Sequence, residues 1–252
     1  MTLQKKHILT VVVILCAMVL PAAMASAADA DTESFGFGGF SIGSQWLDIS
    51  ELNSVLSSNG FASFNNPTLS LGFESYFAFQ GKFLFGLEFQ LFWQEATNAT
   101  YVQKLNGYWG FLNFGYSVLP KSVERFHLYP LFGLGVSRNR LRLTEREVLD
   151  FSDIITDPQR ESFLTKWDFL LQAALGADFS IGGFNMSENG GDGRFMLGIR
   201  AGYQYSVTDS TWNMSTLDIS GSPGLSMSGF YLRFIIGGLG YRDSFDKHDR
   251  EM

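Results

Sequence analysis

Hydrophobic and polar positions alternate along much of this chain, and the clearest alternation covers residues 68–94, with a Gln-Gly-Lys turn at 80–82. The second half of this stretch places six consecutive same-face residues that are all apolar: Phe83, Phe85, Leu87, Phe89, Leu91 and Trp93. The opposite face of the stretch is polar and includes Glu74, Glu88 and Gln90. A period of two residues predicts β-strands. Their apolar face needs an extended hydrophobic environment, and their polar face needs an enclosed, wet one.

A closed barrel that spans a membrane meets both needs, because its strands leave no backbone group unpaired in lipid. Eight segments alternate in this way: 34–46, 68–79, 83–94, 101–118, 127–143, 167–179, 194–205 and 229–242. Their connections are mostly long and short in turn, as in barrels whose long loops face outside and whose turns face the periplasm. The 27 glycines and 15% of aromatic residues also favour a β-rich chain. The sequence therefore predicts an all-β fold, an eight-stranded antiparallel up-and-down transmembrane β-barrel.

A short helix is predicted in the first long loop. Asp48 with Glu51 three residues later matches an N-terminal capping box, with Asp48 as the N-cap. Leu52 and Leu56 lie on one helical face, and Gly60 suits a left-handed C-terminal cap. We expect this helix either to plug the mouth of the barrel or to form part of a binding surface.

The N-terminus has the features of a secretory signal peptide. Lys5 and Lys6 precede an apolar run at 8–20, and Ala25-Ser26-Ala27 matches the small-residue cleavage motif. The run, roughly 13 residues long, is shorter than the ~20 residues that a membrane-spanning helix needs. We therefore expect three parts: a signal peptide at 1–27, an outer-membrane β-barrel at 28–245 and a short C-terminal tail at 246–252.

Charge and cysteine content exclude several classes of function. Removing Lys5 and Lys6 from the 18 basic residues leaves 16 against 25 acidic ones. The mature net charge of −9 makes nucleic acid an unexpected partner. Cys16, the only cysteine, lies in the signal segment, so the mature chain forms no disulfide. Only His127 and His248 remain as histidines, and no glycine loop precedes a helix, so we expect neither a metal site nor a cofactor.

Several charged residues are predicted to face the barrel lumen: Glu74, Glu88, Asp168, Asp178, Arg200 and Arg233. Charges in a narrow lumen must pair or neutralise, so we expect a structural charge network there, although a gated ion path would use the same residues. Eight strands enclose an interior that side chains can fill. Because bulky residues such as Trp109, Phe111 and Tyr129 also face inward, we expect no open pore.

A second charged group, Arg138, Arg140 and Arg142, shares one face at the outer end of the fifth strand. Guanidinium groups bind phosphate through two parallel hydrogen bonds, so these three residues are candidates for contact with lipopolysaccharide phosphates. An exposed extension of the strand explains the same pattern equally well.

The signal segment, the eight alternating strands and the alternating loop lengths resemble the small outer-membrane barrels of Gram-negative bacteria, of the OmpA transmembrane domain, OmpX and OmpW kind. The resemblance implies location in the cell outer membrane, contact with outer-membrane lipid and lipopolysaccharide, and insertion by the barrel-assembly machinery. Such barrels usually end on an aromatic residue. Here seven residues follow Phe245, which is a departure from that pattern.

Some small outer-membrane barrels are lipid A deacylases that use a serine, a histidine two residues before it and a carboxylate. In this sequence Tyr129 stands two residues after His127, so we expect no enzyme activity. Our prediction is a structural or surface-interaction barrel. One alternative is a carrier of small hydrophobic molecules, bound between the loop helix and the apolar loop residues Trp212, Met214, Leu217 and Ile219. A lipid-modifying enzyme is the other.

Overall fold

A computed structural model of the chain describes residues 34–119, 125–146, 161–185, 192–208, 210–214, 217–219, 221 and 223–242. The predicted signal peptide, the C-terminal tail and the middle of the predicted charged loop at 145–165 lie outside these residues.

Eight long strands form the barrel: β1 (Ser34–Gln45), β2 (Thr68–Phe79), β3 (Phe83–Thr97), β4 (Tyr101–Tyr116), β5 (Phe126–Glu145), β6 (Glu161–Asn185), β7 (Asp192–Ser206) and β10 (Gly229–Arg242). Two short strands, β8 (Asn213–Met214) and β9 (Leu217–Asp218), make a small hairpin in the loop before β10. The helix α1 (Ser50–Ser58) follows β1. No helix in the described part of the chain is long and apolar enough to cross a membrane.

The strands close into a ring. Each of β1 to β6 pairs antiparallel with the strand that follows it, β7 pairs with β10, and β10 pairs with β1, for example at Phe40 opposite Ile236. A closed ring has no unpaired strand edge, which is the condition for a sheet in lipid. The predicted eight-stranded up-and-down barrel is therefore confirmed.

The outer wall is apolar on every strand of the ring. Phe40 is 80% exposed, and large hydrophobic side chains predicted to face outward are exposed throughout: Ile42, Leu69, Phe73, Phe83, Phe85, Phe114, Phe132, Leu134, Phe169, Leu175, Phe195, Leu197, Phe230 and Phe234. Aromatic residues near the strand ends, such as Trp46, Tyr116 and Tyr205, are exposed as well. An exposed hydrophobic band bordered by aromatic residues is the surface of a membrane-spanning barrel.

The interior holds two separate apolar clusters. The mouth cluster lies at the long-loop end: Leu47, Ile49, Leu52, Leu56, Phe64, Phe92, Leu105, Trp109, Phe111, Leu141, Leu170, Trp212, Leu225 and Met227. The base cluster lies at the turn end: Phe35, Phe37, Tyr76, Ala78, Leu84, Tyr129, Leu131, Ala174, Met196, Tyr231, Ile235 and Leu239. Trp109, Phe111 and Tyr129, which alternation places on the inward face, belong to these clusters, and loop residues such as Leu47 and Leu225 complete the mouth cluster.

The helix α1 begins two residues later than the predicted cap. Asp48 is not its N-cap, because the backbone of Asp48 forms a β-bridge with Ser226. The Asp48 carboxylate accepts a hydrogen bond from Ser50 Oγ at 2.9 Å, and no side chain caps the first turn. The predicted C-terminal glycine is correct: Gly60 has φ 79°, and Phe61 N–H donates back to Leu56 O.

The strand β6 is longer than predicted and begins at Glu161, six residues before the start of the predicted segment at 167–179. Its first residue pairs with Thr144 on β5, and Thr144 Oγ1 donates to a Glu161 carboxylate oxygen at 3.0 Å. Cross-strand partners therefore extend the sheet beyond the hydrophobic band. Local alternation gives only a weak sign of such an extension, because just one of its outward positions, Phe163, is apolar.

Candidate functional site

Two candidate sites follow from the residues singled out in the sequence, one in the lumen and one on the outer wall. In the lumen, Arg200 of β7 lies between Glu74 of β2 and Asp178 of β6. Arg200 Nη2 donates to Glu74 Oε1 at 2.6 Å, and Arg200 Nη1 donates to Asp178 Oδ1 at 2.6 Å. All three side chains are buried. The two carboxylates balance the charge of the buried guanidinium, although Arg200 Nε and Glu74 Oε2 have no hydrogen-bond partner among the described residues.

Arg233 lies next to Arg200, because the two residues are cross-strand partners on β10 and β7. It makes a different set of contacts. Arg233 Nη1 donates to Glu88 Oε1, and the guanidinium lies over the Tyr231 ring at 3.8 Å from its centroid. Arg233 Nε and Nη2 have no hydrogen-bond partner among the described residues. Arg233 is therefore held by one carboxylate and by cation–π attraction.

Neutral side chains connect this network across the lumen. Gln172 Nε2 donates to Glu88 Oε2 at 3.0 Å and to Asn113 Oδ1 at 2.6 Å, and Tyr231 OH donates to Gln172 Oε1 at 3.1 Å. Asn113 Nδ2 in turn donates to Tyr76 OH at 2.9 Å. Glycines leave the space for these groups, since a Cβ at Gly133 would meet Asn113 Oδ1. We call the set formed by Glu74, Glu88, Asp178, Arg200, Arg233 and these neutral partners the central network.

Asp168, the sixth predicted member, does not join the central network. Its carboxylate lies 3.7 Å from Lys166 Nζ and accepts a hydrogen bond from Ser210 Oγ at 2.9 Å. Lys166 also donates to Leu225 O at 2.7 Å, in the loop that covers the mouth. The sequence analysis missed Lys166, although its position two residues before Asp168 puts it on the same inward face. Asp168 and Lys166 fasten the outer loop to the barrel.

The mouth is covered by α1 and the loop before β10. Leu52, Leu56 and Trp212 are buried together in the mouth cluster, and Trp212 Nε1 donates to Pro223 O at 3.0 Å. In the carrier alternative Trp212 lines a ligand pocket, but its side chain is 1% exposed and fills the mouth. Met214 is 41% exposed, Ile219 is half-buried, and the side chain of Leu217 lies outside the described residues. The geometry is that of a plug.

His127 and Tyr129 do not form a hydrolytic pair. Tyr129 OH donates to the Asp178 carboxylate, so this tyrosine belongs to the lumen. The half-buried His127 ring lies against Phe35, with the ring centroids 5.1 Å apart. Among the described residues, no group of three or more His, Cys, Asp or Glu side chains is placed to hold a metal ion.

On the outer wall, the three arginines of β5 differ in their contacts. Arg142 pairs with the Glu161 carboxylate and lies over the Phe163 ring. Arg138 is half-buried, with its guanidinium 5.3 Å from the centroid of the Trp167 ring. Arg140 is exposed and makes no ion pair within the described part of the chain. Arg138 and Arg140 border a recess of about 360 Å³ together with Phe89, Leu91, Phe92, Trp93, Asn106, Gly107 and Tyr108.

No family model matches this sequence, and no curated protein matches it. Among solved structures, the chain is similar to Ail, the attachment invasion locus protein of Yersinia pestis, with 13% identity over 84% of this chain and 99% of Ail and a TM-score of 0.38. It is similar to the outer membrane protein OprG from Pseudomonas aeruginosa, with 13% identity over 85% and 98% of the two chains and a TM-score of 0.40. Neisserial surface protein A shares 11% identity over 82% and 95%, with a TM-score of 0.34.

Likenesses at this level assign no function to the chain, and its own geometry decides its architecture. The ring is closed, its outer wall is apolar and its inner face is filled by buried polar and apolar side chains. A closed antiparallel ring with an even number of strands and an apolar outer wall is the architecture of a membrane-spanning barrel. The chain is therefore a small eight-stranded antiparallel β-barrel with the surface of a membrane-spanning protein.

Proposed function

We propose that this barrel has a structural or surface-interaction role in the outer membrane, that it conducts no ions and that it catalyses no reaction. The observation that carries the proposal is the filling of the lumen. The central network is buried between the mouth cluster and the base cluster, so a solute crossing the barrel meets three packed layers in succession.

The physical argument rests on the width of the barrel. Eight strands enclose a bore that side chains fill, whereas water-filled porins use about twice as many strands. Arg200 and Arg233 are 1% and 0% exposed, so in the part of the chain that the structure describes neither guanidinium borders a wide water-filled bore, which supports a closed lumen. Opening such a path would separate buried ion pairs, at a cost of several kcal/mol for each pair.

The two other functions considered have less support. A hydrophobic carrier needs space between α1 and the last long loop, and Trp212 occupies that space together with Leu52 and Leu56. A lipid-modifying enzyme needs a nucleophile with an adjacent base, whereas the Tyr129 hydroxyl donates a hydrogen bond to the Asp178 carboxylate. Neither arrangement favours turnover or ligand uptake in the lumen.

The proposal leaves the long loops and the outer wall as the surfaces through which the protein acts. We further propose that the barrel-assembly machinery inserts it and that outer-membrane lipid, including lipopolysaccharide, is its main neighbour. These partners follow from the location and the apolar wall.

Planar-bilayer recording of the purified protein tests the closed lumen. We expect no conductance steps from the wild type and none from the double variant Leu52→Ser/Leu56→Ser, because loosening the plug leaves the central network and the base cluster in place. Val55→Ser is the matched control, since Val55 is 41% exposed on the same helix. A heat-dependent gel shift establishes that each variant is a folded barrel. Reproducible steps from the wild type that persist in both variants would overturn the proposal.

A further inference from the structure

The outer wall has a recess on the face formed by β3, β4 and β5, and the border of this recess is apolar on one side and cationic on the other. Its volume is about 360 Å³. The apolar side of the border is formed by Phe89, Leu91 and Trp93 of β3, and the cationic side by Arg138 and Arg140 of β5. Such a border matches an amphiphile with an acyl chain and an anionic head group.

The recess results from one short side chain in a row of long ones. Trp93 is the cross-strand partner of Asn106, and Asn106 is the partner of Arg140. On the next row towards the turns, Leu91, Tyr108 and Arg138 are partners in the same way. Because side chains of directly opposed residues stand side by side on one face of a sheet, Asn106 leaves a gap between Trp93 and Arg140.

The charges around the recess leave it positive. Glu95 pairs with Lys104 at 3.0 Å, and Glu161 pairs with Arg142, so these neighbouring carboxylates are already matched by cations. Arg140 makes no ion pair in the described ranges, and the contacts of the Arg138 guanidinium are with neutral groups, since Nη1 donates to Tyr108 OH at 3.4 Å and the group lies over the Trp167 ring. Two guanidinium groups in adjacent rows therefore present donors without a matching anion.

We propose that this recess binds one phosphorylated acyl lipid of the outer leaflet, with a phosphate on Arg138 and Arg140 and an acyl chain along Leu91 and Trp93. Arg142 is not part of the site, because Glu161 occupies its guanidinium. Arginine binds phosphate oxygens through parallel N–H donors, and a wall of exposed apolar residues contacts lipid chains without cost. This proposal rests on the outer-membrane location given under the proposed function, and it assigns the lipid contact to a single site on the wall.

The position along the barrel agrees with a lipid head group. Arg138 and Arg140 lie on the long-loop side of the exposed apolar pair Phe132 and Leu134 on the same strand. Long loops face outside in barrels of this kind, so the guanidinium groups lie where the outer-leaflet phosphates begin.

Native mass spectrometry of the detergent-purified barrel tests the site, with bisphosphorylated lipid A and its dephosphorylated form as probes. We expect the wild type to retain one bisphosphorylated lipid A at least about tenfold more strongly than the dephosphorylated form, as charge-assisted hydrogen bonds imply. Arg138→Gln/Arg140→Gln should lose this preference. Asn106→Trp, which fills the recess and leaves both arginines in place, should weaken both probes.

Arg142→Gln is the matched control, since it removes a cation from the same face of the same strand and should change binding less than about twofold. Equal retention of both probes by the wild type, or unchanged retention by Arg138→Gln/Arg140→Gln, would overturn the site. Inorganic phosphate that displaces the lipid at equal concentration would show a free-anion site, which also contradicts the proposal. Bilayer conductance reports on the lumen alone, so failure of the lipid site and failure of the closed lumen are distinguishable.

Discussion

The arginines of the lumen and those of the outer wall are the same residue type in opposite surroundings. Arg200 and Arg233 are buried, and each donates to at least one carboxylate. On the wall, Arg142 has a carboxylate partner while Arg140 has no ion pair in the described chain. Burial explains the difference, because a charge in a low-dielectric interior must be paired, whereas a charge beside water or head groups is solvated there.

Buried cations stabilise the fold, whereas exposed cations are free to bind an anionic ligand. A buried cation that loses its partner destabilises the protein by several kcal/mol, and an exposed pair contributes about 0–1 kcal/mol. Substitutions on the two surfaces should therefore differ in scale. Reversible urea unfolding in lipid vesicles, followed by tryptophan fluorescence, measures each effect.

The largest effect is expected for Arg200→Leu. It leaves Glu74 and Asp178 facing each other without their shared cation, and breaking a buried ion pair costs on the order of 3–5 kcal/mol. We expect the free energy of unfolding to fall by about this amount. An unchanged unfolding midpoint would mean that the lumen does not depend on this pairing and that burial fails as the explanation.

Arg233→Leu should destabilise the barrel less, by about 3 kcal/mol, at the lower end of the range for a broken buried pair. Only Glu88 loses an ion-pair partner, and Glu88 keeps its hydrogen bond from Gln172. Arg233→Met separates packing from charge, since it retains a long side chain over Tyr231. If Arg233→Met has wild-type stability, the charge of Arg233 is dispensable, and the fold depends on the charge of Arg200 alone among these two residues.

Glu74→Gln should cost less again, about 1–2 kcal/mol, as for a hydrogen-bonding group that loses its charge. Arg200 keeps Asp178 as an ion-pair partner, and the central network then holds two carboxylates against two guanidinium groups. The order of the three lumen variants is the prediction. A Glu74→Gln protein less stable than Arg200→Leu would reverse the charge argument.

The smallest effect is expected on the wall. Arg142 and Glu161 are 43% and 24% exposed, so solvent screens their pair, and Arg142→Gln should change stability by less than about 1 kcal/mol. The same unfolding measurement in low and high salt checks this value. A loss of unfolding free energy comparable to that of Arg233→Leu would show that the wall arginines also stabilise the fold.

Much of the architecture follows from alternation alone. On β10, Tyr231, Arg233 and Ile235 are buried, whereas Phe230 and Phe234 are 66% and 52% exposed, which follows the alternation of segment 229–242. A period of two residues fixes the face of each side chain once a segment is a strand. Where polar residues take most of the outward positions, as at the beginning of β6 with only Phe163 apolar, the same rule gives a weak signal and the strand end is missed.

The lumen was only partly predictable. Five of the six predicted residues meet in the central network, while Asp168 lies near the mouth with Lys166 and Ser210. Asp168 does face inward, but the height of this residue along the barrel depends on how β6 is staggered against the neighbouring strands. The burial of Trp212 could not be predicted from the sequence either, because irregular loops have no period from which to infer packing.

Eight amphipathic strands in a closed barrel could be predicted from alternation and loop lengths, because these are local properties of each segment. Which inward residues touch each other depends on the assembled ring. Glu74 and Arg200 are 126 positions apart and lie on strands that are not neighbours in the ring, and they meet at 2.6 Å across the bore. Strand tilt and stagger bring them to the same height, and these are properties of the closed ring as a whole.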